Sequence, residues 1–208
     1  DIVIPSSIAL WDVLYNITKM DPHALKGIAH LHHSQQFESL RDLADYMKEN
    51  IITMGEGTQE WRQMIHKYKG YTGEEAIIEK LQAEGHVVEV PGSGTQERYD
   101  AVVDGQPINI KITDNPAYIH EHLDKYPDIP VYTNKEMAGA FGDHPMVTVV
   151  QDVSAQDMFH ETADTMEGID GLGNFIDHIP LVTLVISTLK NTTRFVEGKK
   201  DLATACEH

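Results

Sequence analysis

The sequence predicts an α/β (α+β) fold: a mixed sheet of about five strands flanked by helices, with a helical N-terminal region and a helical C-terminal extension. Three observations predict it. Apolar residues recur at helical spacing up to about residue 69. From Tyr71 to Val150 short β-branched runs alternate with helical stretches and turn signals. The strand-like runs come first as a close set joined by tight turns, and βα units follow, so antiparallel and parallel pairing should share one sheet.

The elements follow in order. Ser7 can cap a helix bearing Ile8, Trp11, Leu14 and Ile17. Asp21-Pro22 is a cap followed by proline at the first helical position, with Leu25 and Ile28 beyond. Phe37, Leu40, Leu43, Ala44 and Met47 continue the helical period, and Thr58 can start a helix carrying Trp61, Met64, Ile65 and Tyr68. Thr72-Gly73-Glu74-Glu75 has the form of a capping box and predicts a fresh helix to Glu84, closed by Gly85. Val87, Val88 and Val90 read as a strand, Pro91 to Gly94 as a turn, and Tyr99 to Val103 as a second strand. Asp104-Gly105 is a hairpin signal. Ile108, Ile110 and Ile112 then alternate with Asn109, Lys111 and Thr113 in a period-two strand. Asn115-Pro116 opens a helix to Lys125, and Ile129 to Thr133 is a strand. Asn134 caps a short helix ending near Gly142, and Met146 to Val150 is the last strand. An acidic helix (Ala155 to Met166), a glycine-containing link (Gly168 to Gly173), the apolar run Ile179 to Leu189 and a polar helix from Thr193 complete the chain. The expected regions are 1–69, 70–152 and 153–208.

The chain has 208 residues and a net charge of −17. Such a charge disfavours general binding to phosphate backbones, which a basic face would otherwise provide. Between Tyr71 and Val150 there are 14 acidic and five basic residues, so the acidity extends through the sheet region. Cys206 is the only cysteine, so no intrachain disulfide forms, and as a nucleophile it has no identifiable base. No signal peptide is visible, and Ile179 to Leu189 is about half of the ~20 residues that span a bilayer. These features read as cytoplasmic, with no membrane contact. The absent initiator Met and the ending within an amphipathic pattern (Leu202, Ala203, Ala205) read as a piece of a longer protein. Trp11 and Trp61 on the N-terminal helices are the candidates for a protein-binding face.

Chemistry concentrates in one run. Glu74 begins the expected helix, Asp100 stands early in the second strand and Lys111 in the third. Asn109 and Lys111 are two apart and share a face. The hairpin sets that strand beside the one bearing Asp100. Clustered carboxylates hold Mg2+, and a nearby lysine serves an attacking water or a scissile phosphate. The run Gly73 to Thr113 resembles the archaeal Holliday-junction resolvases and, more broadly, the PD-(D/E)xK (restriction endonuclease-like) nuclease superfamily. The resemblance rests on the helix glutamate before Gly85-His86-Val87-Val88, on Ser93, on Tyr99-Asp100 and on Lys111 within Ile108 to Thr113. It implies that Glu74, Asp100 and the carbonyl of Ile110 ligate Mg2+ or Mn2+. It also implies that Lys111 orients water or stabilises phosphorane charge, and that Ser93 lies near the scissile phosphate. The family's acidic or Gln position is Asn109 here, which offers a neutral oxygen and weakens a hard-cation site. A nuclease-fold module without catalysis, binding or regulating, is the alternative.

Each residue also has a plain structural reading. Glu74 can simply favour a helix N-terminus. Asp100 and Lys111 can form a cross-strand pair, and Ser93 and Asp104 can be turn residues. His30, His32 and His33 lack a neighbouring carboxylate or cysteine at standard ligand spacing and read as solvated. His120 and His122 lack the i, i+4 spacing of a helical metal pair and read as surface residues.

Overall fold

The computed structural model describes residues 12, 15–32, 35, 37, 40–51, 57–91 and 98–172. Helix α1 (Pro22–Leu31) starts where the Asp21-Pro22 signal places it: the Asp21 carboxylate accepts from the N–H groups of His23 (2.8 Å) and Ala24 (3.0 Å). Helix α2 (Leu40–Asn50) buries Leu43, Ala44 and Met47. With Ile17, Met20, Leu25, Ile28, Ile65 and Tyr68 they build an N-terminal core.

Helix α3 (Gln59–Ala83) is one continuous element. Thr58 caps it, accepting from the N–H of Trp61 at 3.2 Å. The expected break at Tyr71 does not occur, and the Thr72/Glu75 capping box is unused. Thr72 is buried in mid-helix, where its hydroxyl meets the Tyr68 carbonyl (3.0 Å) and the Thr162 hydroxyl (2.9 Å). Two helical glycines cost only about 1 kcal/mol each, and α3 packs along its length into two cores. The boundary expected at residue 70 therefore falls inside a helix. Glycine permits both of its tightest approaches. A Cβ on Gly27 of α1 would lie 2.6 Å from the Thr72 backbone nitrogen, and one on Gly73 would lie 2.3 Å from Ile112 Cγ1.

The sheet has five strands in sequence order: β1 (Val88–Glu89), β2 (Ala101–Val103), β3 (Gln106–Lys111), β4 (Val131–Asn134) and β5 (Val147–Val150). β1, β2 and β3 pair antiparallel, whereas β3, β4 and β5 pair parallel. The expected first strand shrinks to two residues, with Val87 and Val90 exposed beside it. The hairpin turn is as expected, with positive φ at Asp104 (50°) and Gly105 (84°). Asp104 does more than turn, since it accepts from the Val87 N–H at 2.9 Å and meets His86 Nδ1 at 2.6 Å.

Ile108, Ile110 and Ile112 face α3 in a second core with Ile77, Ile78, Leu81, Ala101 and Val103. The opposite face is covered too. Helix α4 (Pro116–Lys125), capped by Asn115, and the short helix α5 (Ala138–Phe141) enclose Ile119, Val131, Phe141 and Val147. A 3-10 turn (Lys135–Met137) leads into α5, and Asn134 does not cap it. The Asn134 amide instead clamps Thr113, accepting from its N–H (2.8 Å) and donating to its carbonyl (2.9 Å).

Helix α6 (Ala155–Leu172) runs past the expected end at Met166. Gly168 and Gly171 are packing residues here and not a link, since their Cβ atoms would lie 2.6 Å and 2.3 Å from oxygens of Asn16. α6 is no appendage either: Met158 enters the sheet core, and Met166, Ile169 and Leu172 enter the N-terminal core. The readings for residues 173–208, including Cys206, lie outside the described residues, as do Ser7, Trp11, Leu14 and His33. No helix among the described residues is long and apolar enough to cross a membrane.

Candidate functional site

The hairpin register sets Ala101 opposite Ile108. Ala101 and Val103 point toward α3, so Asp100 belongs to the other face, the one that also carries Asn109 and Lys111. Asp100 Oδ2 accepts from Lys111 Nζ and from the Ile110 N–H, both at 2.8 Å. The Asn109 N–H bonds Pro130 on the β4 side at 2.8 Å. Backbone groups alternate along a strand, so the Ile110 carbonyl opens on the Asp100 side.

Glu74 reaches this end of the sheet from α3. Burial pushes its carboxyl up to about 8, and the Asp100 charge adds to the shift. Lys111 is raised as well, for a different reason. Burial works against its ammonium, but the Asp100 charge and hydrogen bond outweigh burial and hold its pKa above the usual lysine value. Lys111 is therefore a fixed cation and not a base. Asn109 is only 2% exposed. Its Nδ2 donates to the Arg98 carbonyl at 3.1 Å, so its amide is engaged in holding the approach to β2. Ser93 lies outside the described residues.

Four residues that the sequence does not assign to this cluster surround it. Tyr71 stands one turn before Glu74; burial, then Glu74, raises its phenol pKa. His30 Nδ1 meets Glu75 Oε1 at 3.2 Å, and its ring centroid is 5.6 Å from that of Tyr71. That Glu75 contact, reinforced by Glu74 and Asp100, holds His30 above the ordinary histidine pKa. Tyr118 and His122 share one stripe of α4. Tyr118 lies within electrostatic reach of Lys111. His122 Nε2 is buried without a hydrogen-bond partner, and burial, then Lys111, lowers its pKa.

The solvated-histidine reading is thus corrected for His30, and also for His32, whose ring nitrogens meet the Tyr68 hydroxyl (2.7 Å) and the Tyr46 hydroxyl (3.1 Å). His120 is exposed as expected, against Phe141, whereas the buried Nε2 makes His122 more than a surface residue. Trp61 packs partly buried against the N-terminal core.

Glu74, Asp100 and the Ile110 carbonyl are hard oxygen donors of the kind that hold Mg2+ or Mn2+. Among the described residues no group of three or more His, Cys, Asp or Glu side chains forms an all-protein metal cage. Mg2+ does not require one, since it keeps several waters and is held through one or two carboxylates. A bound cation would offset both the burial and the Asp100 charge that raise Glu74. The donor set therefore fits a hydrated Mg2+ or Mn2+. No family model, curated protein or solved structure matches this chain.

Proposed function

We propose that the protein is a Mg2+- or Mn2+-dependent phosphodiesterase of restriction endonuclease-like fold, acting on nucleic acid. One observation carries this reading: Glu74, Asp100 and Lys111, from a helix and two hairpin-paired strands, bear electrostatically on one another at one end of the sheet. Glu74 and Asp100, with the Ile110 carbonyl, would hold the cation, which would neutralise charge on the phosphate. Lys111 keeps its ammonium in place through Asp100 and stabilises charge building on the phosphorane oxygens. Glu74 must lose its proton to bind a cation, so activity should rise with pH toward 8.

Asn109 favours a second reading, a nuclease-fold module that binds or regulates without cutting. Its amide is committed to Arg98, and it contributes no charge to the cation. Cleavage of single-stranded and duplex oligonucleotides with Mn2+ separates the two. Cutting by wild type that Lys111→Ala abolishes supports the enzyme. No cutting by wild type, with Mn2+ binding gained in Asn109→Glu, supports the module. Cutting that survives Lys111→Ala and Asp100→Ala together would overturn the site assignment.

A further inference from the structure

Glu74, Asp100 and Lys111 leave one task of hydrolysis unassigned: removal of the proton from the attacking water. Glu74 and Asp100 would hold the cation, and the Lys111 ammonium is tied to Asp100 at 2.8 Å. On the α4 side, Lys125 presents an ammonium, which has no lone pair, and His122 Nε2 is sealed within the protein. His30 stands on the α1 side. Its ring packs on Tyr71 of α3, with centroids 5.6 Å apart, and its Nδ1 meets Glu75 Oε1 at 3.2 Å. A carboxylate accepts and does not donate, so Nδ1 carries the proton and the neutral ring keeps its lone pair on Nε2. No described residue bonds that nitrogen, the side chain is 21% exposed, and Nε2 is not sealed off as that of His122 is. The charges that face the ring are Glu75 and Glu74 from α3 and Asp100 from the approach to β2. On α1 itself, Lys26 one turn back is held by Glu79 at 3.4 Å. The Glu75 hydrogen bond leads in raising the ring above the ordinary histidine value. That brings it nearer the alkaline range in which Glu74 ionises, and a base is most effective when its pKa lies near the working pH.

We infer that His30 is the general base of the proposed hydrolysis and Glu75 its positioning residue, with His30 Nε2 taking a proton from water as the water oxygen bonds phosphorus. The inference rests on the phosphodiesterase reading. The P–O bond to the leaving oxygen breaks, its electron pair stays on that oxygen, and the oxygen takes a proton from solvent. The imidazolium then gives its proton to solvent, so the products are a phosphomonoester and an alcohol. Cleavage of an oligonucleotide with Mn2+ is measured above pH 8, where Glu74 is ionised. His30→Ala should lower kcat roughly 100- to 10,000-fold, while KM and the heat of Mn2+ binding are retained. Added imidazole and 4-methylimidazole should restore part of its rate, the more basic compound more, which loss of a merely structural contact would not produce. Glu75→Gln, which still accepts from Nδ1–H, should lose less than Glu75→Ala. Thermal melts check that the variants are folded. Nitrogen-15 NMR of metal-free wild type needs no variant and no cleavage: at alkaline pH the neutral His30 ring should carry its proton on Nδ1. Cutting by His30→Ala at the wild-type rate, a loss that neither imidazole restores, or a wild-type ring protonated on Nε2 would overturn the base and leave the hydrolase standing. No cutting by wild type would overturn both.

Discussion

Glu74 makes metal-free stability depend on pH. Its folded pKa of about 8 stands above the ordinary 4.5, so between these values the folded state holds a proton that the unfolded chain has released. Stability then falls as pH rises through that window. His30, raised by Glu75, acts in the same direction above its ordinary 6.5. Glu74→Gln removes the Glu74 contribution. Urea denaturation should show it matching wild type near pH 5 and exceeding it near pH 8 by on the order of 1–3 kcal/mol. An unchanged difference across that range would contradict the burial of an uncompensated carboxyl. Asp100 and Lys111 were legible in the sequence because the Asp104-Gly105 turn fixes the hairpin register. Tyr118 and His122 were not, because only the packing of α4 decides which stripe meets the site. The engagement of Asn109 by Arg98 was equally hidden, since Arg98 precedes β2 in irregular chain.

At the scale of elements, two glycine contacts hold the site together, and Gly73 lets α3 lie against Ile112 of the sheet. Gly27 lets α1 lie against α3, which brings His30 to Glu75. Gly27→Ala would press a methyl onto Thr72 and Tyr71 backbone atoms, which cannot rotate away. It should cost about 1–3 kcal/mol and move the His30 ring resonances in NMR spectra; a wild-type melt with unmoved resonances would contradict the close approach. Glu136 ties the start of α6 to the end of β4. Burial works to raise its pKa, but hydrogen bonds from Ser154, the Ala155 N–H and Asn134 outweigh it and lower the carboxyl to about 2. That contribution is complete above 4.5 and is lost as pH falls toward 2. Acid titration of Glu136→Gln should therefore show less destabilisation than wild type across that interval, and parallel curves would contradict the tie. The strands and α4 were legible from alternation, turns and caps. The continuity of α3 was not, because a capping-box pattern is local and Thr72 is claimed by Thr162, 90 residues away. The glycines of α6 misled for the same reason, since their partner Asn16 is distant in sequence.

Across the whole molecule, α3 and α6 run through both cores, so the sheet and the N-terminal helices support one another and the site draws on both. A net charge of −17 makes recruitment of polyanions unfavourable everywhere except where a cation sits. Cation binding is therefore the step on which the proposed function depends. Isothermal titration of Mn2+ above pH 8, where Glu74 is ionised, measures it directly. Wild type should give the heat of one site, and Asp100→Ala, confirmed folded by its melt, should give none. No heat from wild type, or the same heat from both proteins, would contradict a metal site at Glu74 and Asp100.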